Sequence, residues 1–213
     1  MSARSKGWIA TSVIFFILVA DQILKIWIKT HLTLHESIRI TDWFYLYFTE
    51  NNGMAFGIEL FDKFFLTSLR IVAAGFLIWY LHRICLKEET RLGYCITIGL
   101  VIAGAVGNII DCLFYGLIFD HSIGQVATLF PEGGGYGPFF YGKVVDMLFF
   151  PLIDTNWPDW MPFVGGEQFI FFRPVFNLAD SAITCSIFLL LLFYRKDLSD
   201  LTELKRKEKP ASN

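Results

Sequence analysis

Two aspartates in the second half of the chain lie in apolar surroundings. Asp146 lies within KVVDMLFF, and Asp180 follows 34 residues later in FNLAD, where the apolar run 181–194 begins. Either one alone is typical of a capping or buried structural group. Two carboxylates a few ångströms apart share one proton, so that one acts as a general base and the other as a general acid. Such a pair permits hydrolysis of a peptide bond, and it equally permits a proton relay in a membrane carrier.

The composition places these acids in or beside a membrane. Of the 213 residues, 54% are hydrophobic and only 18% are charged, and such a low charge content is rare in a soluble domain. The net charge of −2 gives no electrostatic basis for binding nucleic acid. Because a bilayer of about 30 Å needs about 20 apolar residues, four spans are predicted, at 8–28, 64–82, 93–114 and 178–194.

Two of these spans allow a second interpretation. The first follows the basic start MSARSK and also resembles a signal peptide, although three further spans favour a retained helix. The last is short unless it includes residues of FNLAD, so Asp180 is expected within or at the edge of the hydrocarbon.

The distribution of Lys and Arg predicts the orientation. Basic residues are frequent before the first span, in the linker 83–91 and in the tail 195–213, whereas 116–177 holds only Lys143 and Arg173. The positive-inside rule therefore predicts that both termini are cytoplasmic and that 29–63 and 116–177 face outward.

The outward segments show strand and loop signals. Residues 37–49 are β-branched and aromatic with partial alternation, which is typical of strands, and ENNGMAFG indicates a turn. The segment 117–142 is Gly-rich, and 151–172 is rich in Trp and Pro. These long loops either decorate the surface or form a lid over the acids.

Polar residues also occur inside the predicted spans. Asp21 and Lys25 are four residues apart on one helix face, a spacing that favours a structural ion pair. Asn108 and Asp111 share a face of the third span, where a structural pair and a ligand-binding pair are equally compatible with the pattern. The four cysteines show no spacing typical of a metal site or a disulfide framework, so neither a metal nor a cofactor is expected.

Five short motifs occur in an order that identifies a family. The set DQILK, NNGMAFG, GAVGNIID, VVDM and FNLAD resembles that of the lipoprotein signal peptidases, which are aspartic peptidases of the bacterial cytoplasmic membrane. Members of that family cut prolipoproteins just before a cysteine that already bears diacylglyceryl. The resemblance implies one integral membrane peptidase domain over 1–213. It has four transmembrane helices, a small outward-facing β-cradle and long outer loops.

The resemblance also implies a role for each matched residue. The catalytic pair would be Asp146 and Asp180. The residues that line the substrate site would be Asn51, Gly53, Asn108 and Asn177, and the structural polar residues near it would be Asp21, Lys25 and Asp111. The expected partners are the lipid-modified prolipoprotein and membrane lipids, and the chain is expected to be a monomer of the inner membrane with its active site toward the outer face.

Two departures from the family pattern bear on these expectations. Cys112 follows the acid of GNIID, where the family usually has Arg, which puts a contact with substrate or lipid in doubt. The outer segments around Asp146 are also longer than is usual. The competing class is a non-enzymatic protein, either a proton-coupled carrier subunit or a lipid-binding scaffold. Four spans without a visible inverted repeat argue against the carrier.

Overall fold

The computed structural model describes residues 2–51 and 63–198, and within them three helices are long and apolar enough to cross a bilayer. These are α1 (Ala3–His31), α2 (Lys63–Cys85) and the third helix, which continues from α3 (Leu92–Ile110) to Ile118. A turn of π-helix (Asp111–Tyr115) and a short α4 (Gly116–Ile118) complete the third helix. Helix α5 (Leu178–Phe193) is apolar but has only 16 residues. The predicted membrane-helical class is therefore observed with three long helices and one shorter one.

The chain divides into two compact units. The helical unit comprises the described parts of Met1–Ala20, Ser68–Gly107 and Ala179–Asn213, and the sheet unit comprises those of Asp21–Thr67 and Asn108–Leu178. In the helical unit, a buried core includes Tyr80, Tyr94 and Ile102, and the two tyrosine hydroxyls are 2.8 Å apart.

The sheet unit contains a four-stranded antiparallel sheet in the order β1–β2–β3–β6. Its strands are β1 (Ser37–Thr41), β2 (Phe44–Asn51), β3 (Val144–Phe149) and β6 (Val175–Phe176). The hairpin β1–β2 confirms the strand signal of 37–49. The run KVVDMLFF, which the sequence left open between strand and helix, forms β3.

The two long outer segments differ in structure. The Trp- and Pro-rich segment contains a second hairpin, β4 (Ile153–Asn156) with β5 (Gln168–Phe171), which the sequence did not predict. The Gly-rich segment packs along the end of the third helix, because the backbone N–H groups of Gly137 and Gly142 donate to the carbonyls of Gly116 and Cys112, both at 2.9 Å. A Cβ on Gly142 would overlap the carbonyl oxygen of Asp111, so this approach requires glycine.

Candidate active site

Two asparagine side chains bind the two carboxylate oxygens of Asp146. Asp146 is 2% exposed and lies on β3, where it pairs with Thr49 of β2. The Asn51 side-chain amide donates to Oδ2 of Asp146, and the Asn177 amide donates to Oδ1 at 2.6 Å. Since amide-to-carboxylate hydrogen bonds are short and directional, these two asparagines fix the plane of the Asp146 carboxyl group.

A hydrogen-bonded network continues from Asn177 to the first helix. The Asn177 amide also donates to Oδ1 of Asn108 at 3.1 Å and to the carbonyl oxygen of Val145 at 3.3 Å. The same Asn108 oxygen accepts from the Lys25 ammonium at 2.9 Å. The structure thus brings three residues that the resemblance placed at the site, Asn51, Asn108 and Asn177, into one network around Asp146.

Lys25 is the centre of a buried ion cluster beneath β3. Its ammonium lies 2.9 Å from Oδ2 of Asp21 and 2.7 Å from Oδ2 of Asp111, and all three side chains are at most 1% exposed. The Asp21–Lys25 pair is therefore confirmed at its predicted i,i+4 spacing. Asp111 also accepts from the Gln22 amide at 3.0 Å and from the backbone N–H of Val145 at 3.3 Å. Through that last bond, Asp111 holds the strand residue next to Asp146.

Asp180 lies in the first turn of α5, in the helical unit. A carboxylate is favoured at that position because the helix dipole and the unpaired N–H groups attract negative charge. The preceding residue, Ala179, is fully buried against α3. A Cβ on Gly104 would come within 2.6 Å of Cγ1 of Ile183, and it would overlap the Ala179 carbonyl oxygen. The glycine thus allows the turn that holds Asp180 to pack closely on α3.

Gly53, the remaining predicted site residue, lies outside the described residues. In 2–51 and 63–198 no group of three or more His, Cys, Asp or Glu residues is arranged to hold a metal ion. Cys112, at the position of the usual family Arg, is fully buried in the turn of π-helix and is not part of a disulfide.

Four residues near the site were not found from the sequence: Lys29, Glu50, Ser122 and Lys143. They form a second charge cluster on the other side of β2, in which the side chains of Lys29, Glu50 and Ser122 are buried and that of Lys143 is partly exposed. A signal was present, because Lys29 lies one helical turn after Lys25, and a lysine in an apolar span requires a buried partner. The partner could not be inferred, because Glu50 was included in the turn ENNGMAFG.

Comparison with known proteins gives consistent matches along the chain. The family model described as "Signal peptidase (SPase) II" matches residues 13–195. A "Lipoprotein signal peptidase" of Porphyromonas gingivalis is 49% identical over 206 residues, which cover 97% of this chain and 91% of that protein. The protein of the same name from Amoebophilus asiaticus is 36% identical over 201 residues, covering 91% of this chain and 80% of that protein.

A solved structure supports the fold. A protein described as "Bacterial membrane enzyme structure by the in meso method at 2.3 A resolution" superposes with a TM-score of 0.60 and covers 95% of this chain and 94% of its own. The two sequences are 23% identical, so this likeness concerns the fold alone.

Proposed function

The chain belongs to the signal peptidase II family, and we infer that it is an aspartic endopeptidase that removes the signal peptide from prolipoproteins. The structural observation that best supports this function is the Asp146 carboxyl group, which is buried on β3 and held by the amides of Asn51 and Asn177. The two asparagines also meet Asp146 from different elements, β2 and the residue before α5.

We assign the reaction to Asp146 and Asp180 as a pair, with one ionised and one protonated. The ionised carboxylate takes a proton from water while the water oxygen bonds to the scissile carbonyl carbon. The protonated carboxyl donates its proton to the carbonyl oxygen, which gives a tetrahedral diol. In the collapse of the diol, the carboxylate that gave up its proton takes one from a diol hydroxyl, and the acid that gained the proton of water passes it to the leaving amine. The C–N bond breaks, and the original protonation of the pair is regenerated.

The substrate chemistry explains why an acid would lie at the start of a membrane helix. Cleavage before a diacylglyceryl cysteine occurs at the depth where the acyl chains meet the headgroups, since that anchor keeps the bond in this plane. Helix α5, with 16 residues, is about 24 Å long, slightly less than the hydrocarbon thickness of about 30 Å. As a fourth span it would place Asp180, in its first turn, at the outer boundary, with both termini cytoplasmic and 116–177 outside.

The polar surroundings fit a reaction that needs water within a membrane protein. Asn51, Asn108 and Asn177 supply hydrogen-bonding groups beside Asp146, and polar groups can keep a cavity wet at membrane depth. No metal or cofactor enters the proposed mechanism, and the chain would act as a monomer on a substrate presented by the membrane.

The test is cleavage of a diacylglyceryl-modified prolipoprotein peptide by the purified chain in detergent. We expect one cut, immediately before the lipidated cysteine, and no cut in the same peptide without the diacylglyceryl group. A folded preparation that leaves the modified peptide intact would favour the competing class, a carrier subunit or a lipid-binding scaffold.

A further inference from the structure

A carboxylate adjacent in sequence to Asn51 is buried between two lysines. Glu50 is 4% exposed, and its Oε1 pairs with the Lys29 ammonium, which is fully buried. Its Oε2 lies 3.3 Å from the Lys143 ammonium, whose side chain is 36% exposed. The Lys29 ammonium also donates to Oγ of Ser122 at 2.9 Å. We refer to Lys29, Glu50, Ser122 and Lys143 as the Glu50 clamp.

Aromatic rings surround the buried lysine of the clamp. The Lys29 ammonium lies 5.8 Å from the ring centroid of Phe48, 5.3 Å from that of Phe119 and 5.1 Å from that of Tyr136. The Tyr136 hydroxyl accepts from the backbone N–H of Lys143 at 2.6 Å. Because cation–π contacts add to the ion pair where water is excluded, these rings further stabilise the Lys29 ammonium at the place where it pairs with Glu50.

The clamp joins the ends of the two strands that form the Asp146 site. Lys143 immediately precedes β3, and Glu50 is the next-to-last residue of β2. The ion pair between them therefore ties the strand end that bears Asn51 to the strand that bears Asp146. Lys29 joins the same point to α1, since it lies in the last turns of that helix.

Because side chains alternate along β2, the ion pairs of Glu50 also affect the orientation of the neighbouring Asn51 side chain. Thr49 pairs with Asp146, Glu50 with Val145 and Asn51 with Val144. Since successive side chains point to opposite faces of a sheet, Asn51 shares a face with Asp146 while Glu50 points to the other face. The ion pairs of Glu50 on that other face therefore prevent β2 from rotating or slipping, and they keep the Asn51 amide directed at Asp146.

We propose that Glu50, held between Lys29 and Lys143, is a positioning residue that acts through Asn51 on the catalytic Asp146. This inference rests on the proposed function. Removing one partner of a buried ion pair is destabilising, so Glu50 also supports the fold. Its location one residue from Asn51 is the observation that points to the geometry of the acid.

The experiment measures kcat, KM and melting temperature for purified variants on the diacylglyceryl-modified peptide in detergent. Because a misplacement of about 1 Å can cost about 100-fold in rate, we expect Glu50→Gln to lower kcat by about tenfold or more while KM changes less than about twofold. Lys143→Gln should also lower kcat. Lys143→Arg should keep kcat near the wild-type value, because a guanidinium can still pair with Glu50. The control is Asp42→Asn, which breaks the exposed Arg39–Asp42 pair of the β1–β2 hairpin and should leave kcat and KM unchanged.

A double-mutant cycle separates positioning from general weakening of the fold. Because residues that act through one another are not additive, Glu50→Gln should lower kcat no further once Asn51 is replaced by Ala. Wild-type kcat in Glu50→Gln, or an equal further loss in the Asn51→Ala background, would overturn the inference. If Glu50→Gln does not fold, the two Lys143 variants provide the test. Equal kcat values for Lys143→Arg and Lys143→Gln would overturn the inference. Failure of the proposed function would instead appear as no cleavage by the wild-type chain.

Discussion

Gly104→Ala tests whether the packing of α5 on α3 sets the position of Asp180. The new methyl group would lie 2.6 Å from Cγ1 of Ile183 and would overlap the carbonyl oxygen of Ala179. A carbonyl on a helix backbone cannot move away by changing a rotamer, so the first turn of α5 must shift. That turn contains Asp180, and the substitution should therefore affect both stability and activity.

The loss of stability expected for Gly104→Ala follows from a comparison with Gly75→Ala. Gly75 lies inside α2, and a Cβ there would meet nothing within 4 Å. Both substitutions gain the helix propensity of Ala over Gly, up to about 1 kcal/mol, whereas only the one at Gly104 introduces overpacking, which costs about 1–3 kcal/mol. The difference between the two variants isolates the overpacking, so Gly104→Ala should be less stable than Gly75→Ala by about 1–3 kcal/mol.

Thermal unfolding in detergent, followed by tryptophan fluorescence, measures the difference in stability, and the peptide assay measures kcat. We expect Gly75→Ala to melt at or above the wild-type temperature with full activity. Gly104→Ala should melt below it, with kcat lowered about tenfold, because small displacements of a catalytic group are costly. A Gly104→Ala protein as stable and as active as Gly75→Ala would refute the close approach of α3 and α5.

Three further predictions concern the sheet unit and the chemistry. Asp111→Asn should lower the free energy of unfolding by up to about 3–5 kcal/mol, because it removes one partner of the buried Lys25 ion cluster, while correctly folded protein keeps measurable cleavage. Chelators should leave kcat unchanged, since a pair of aspartates makes a poor zinc site, and loss of activity restored by one divalent ion would contradict the metal-free mechanism. If the Gly-rich segment is a lid, deletion of its tip, 131–134, should raise KM or lower kcat at an unchanged melting temperature, and unchanged kinetics in a folded deletion would reject the lid.

Local patterns predicted much of the fold. The apolar runs predicted the long helices, and the β-branched and aromatic run at 37–49 predicted the β1–β2 hairpin. The i,i+4 spacing of Asp21 and Lys25 predicted their ion pair. These features depend on neighbours a few residues apart, so a sequence alone is sufficient to infer them.

Other features depend on contacts between distant residues, which spacing cannot reveal. Asn51 and Asp146 form a hydrogen bond although they are 95 positions apart in the sequence, and Lys25 and Asp111 form an ion pair although they are 86 positions apart. The motifs suggested that these residues belong to one site, but the structure was needed to identify the partners. The β2–β3 register brings Asn51 to Asp146, and a contact between α1 and the turn of π-helix brings Lys25 to Asp111. The hairpin β4–β5 was missed because Trp and Pro dominate the segment around it and obscure its short strands.

In the proposed mechanism, Asp146 and Asp180 together cleave the peptide bond. The most direct measurement is single-turnover cleavage of the diacylglyceryl-modified peptide by Asp146→Asn and Asp180→Asn, each with its melting temperature and with Asp42→Asn as the folded control. An amide cannot cycle between acid and base, so each of the two variants should lose all detectable cleavage while melting close to the wild-type temperature. Substantial cleavage by either variant would contradict the aspartic mechanism proposed for this chain.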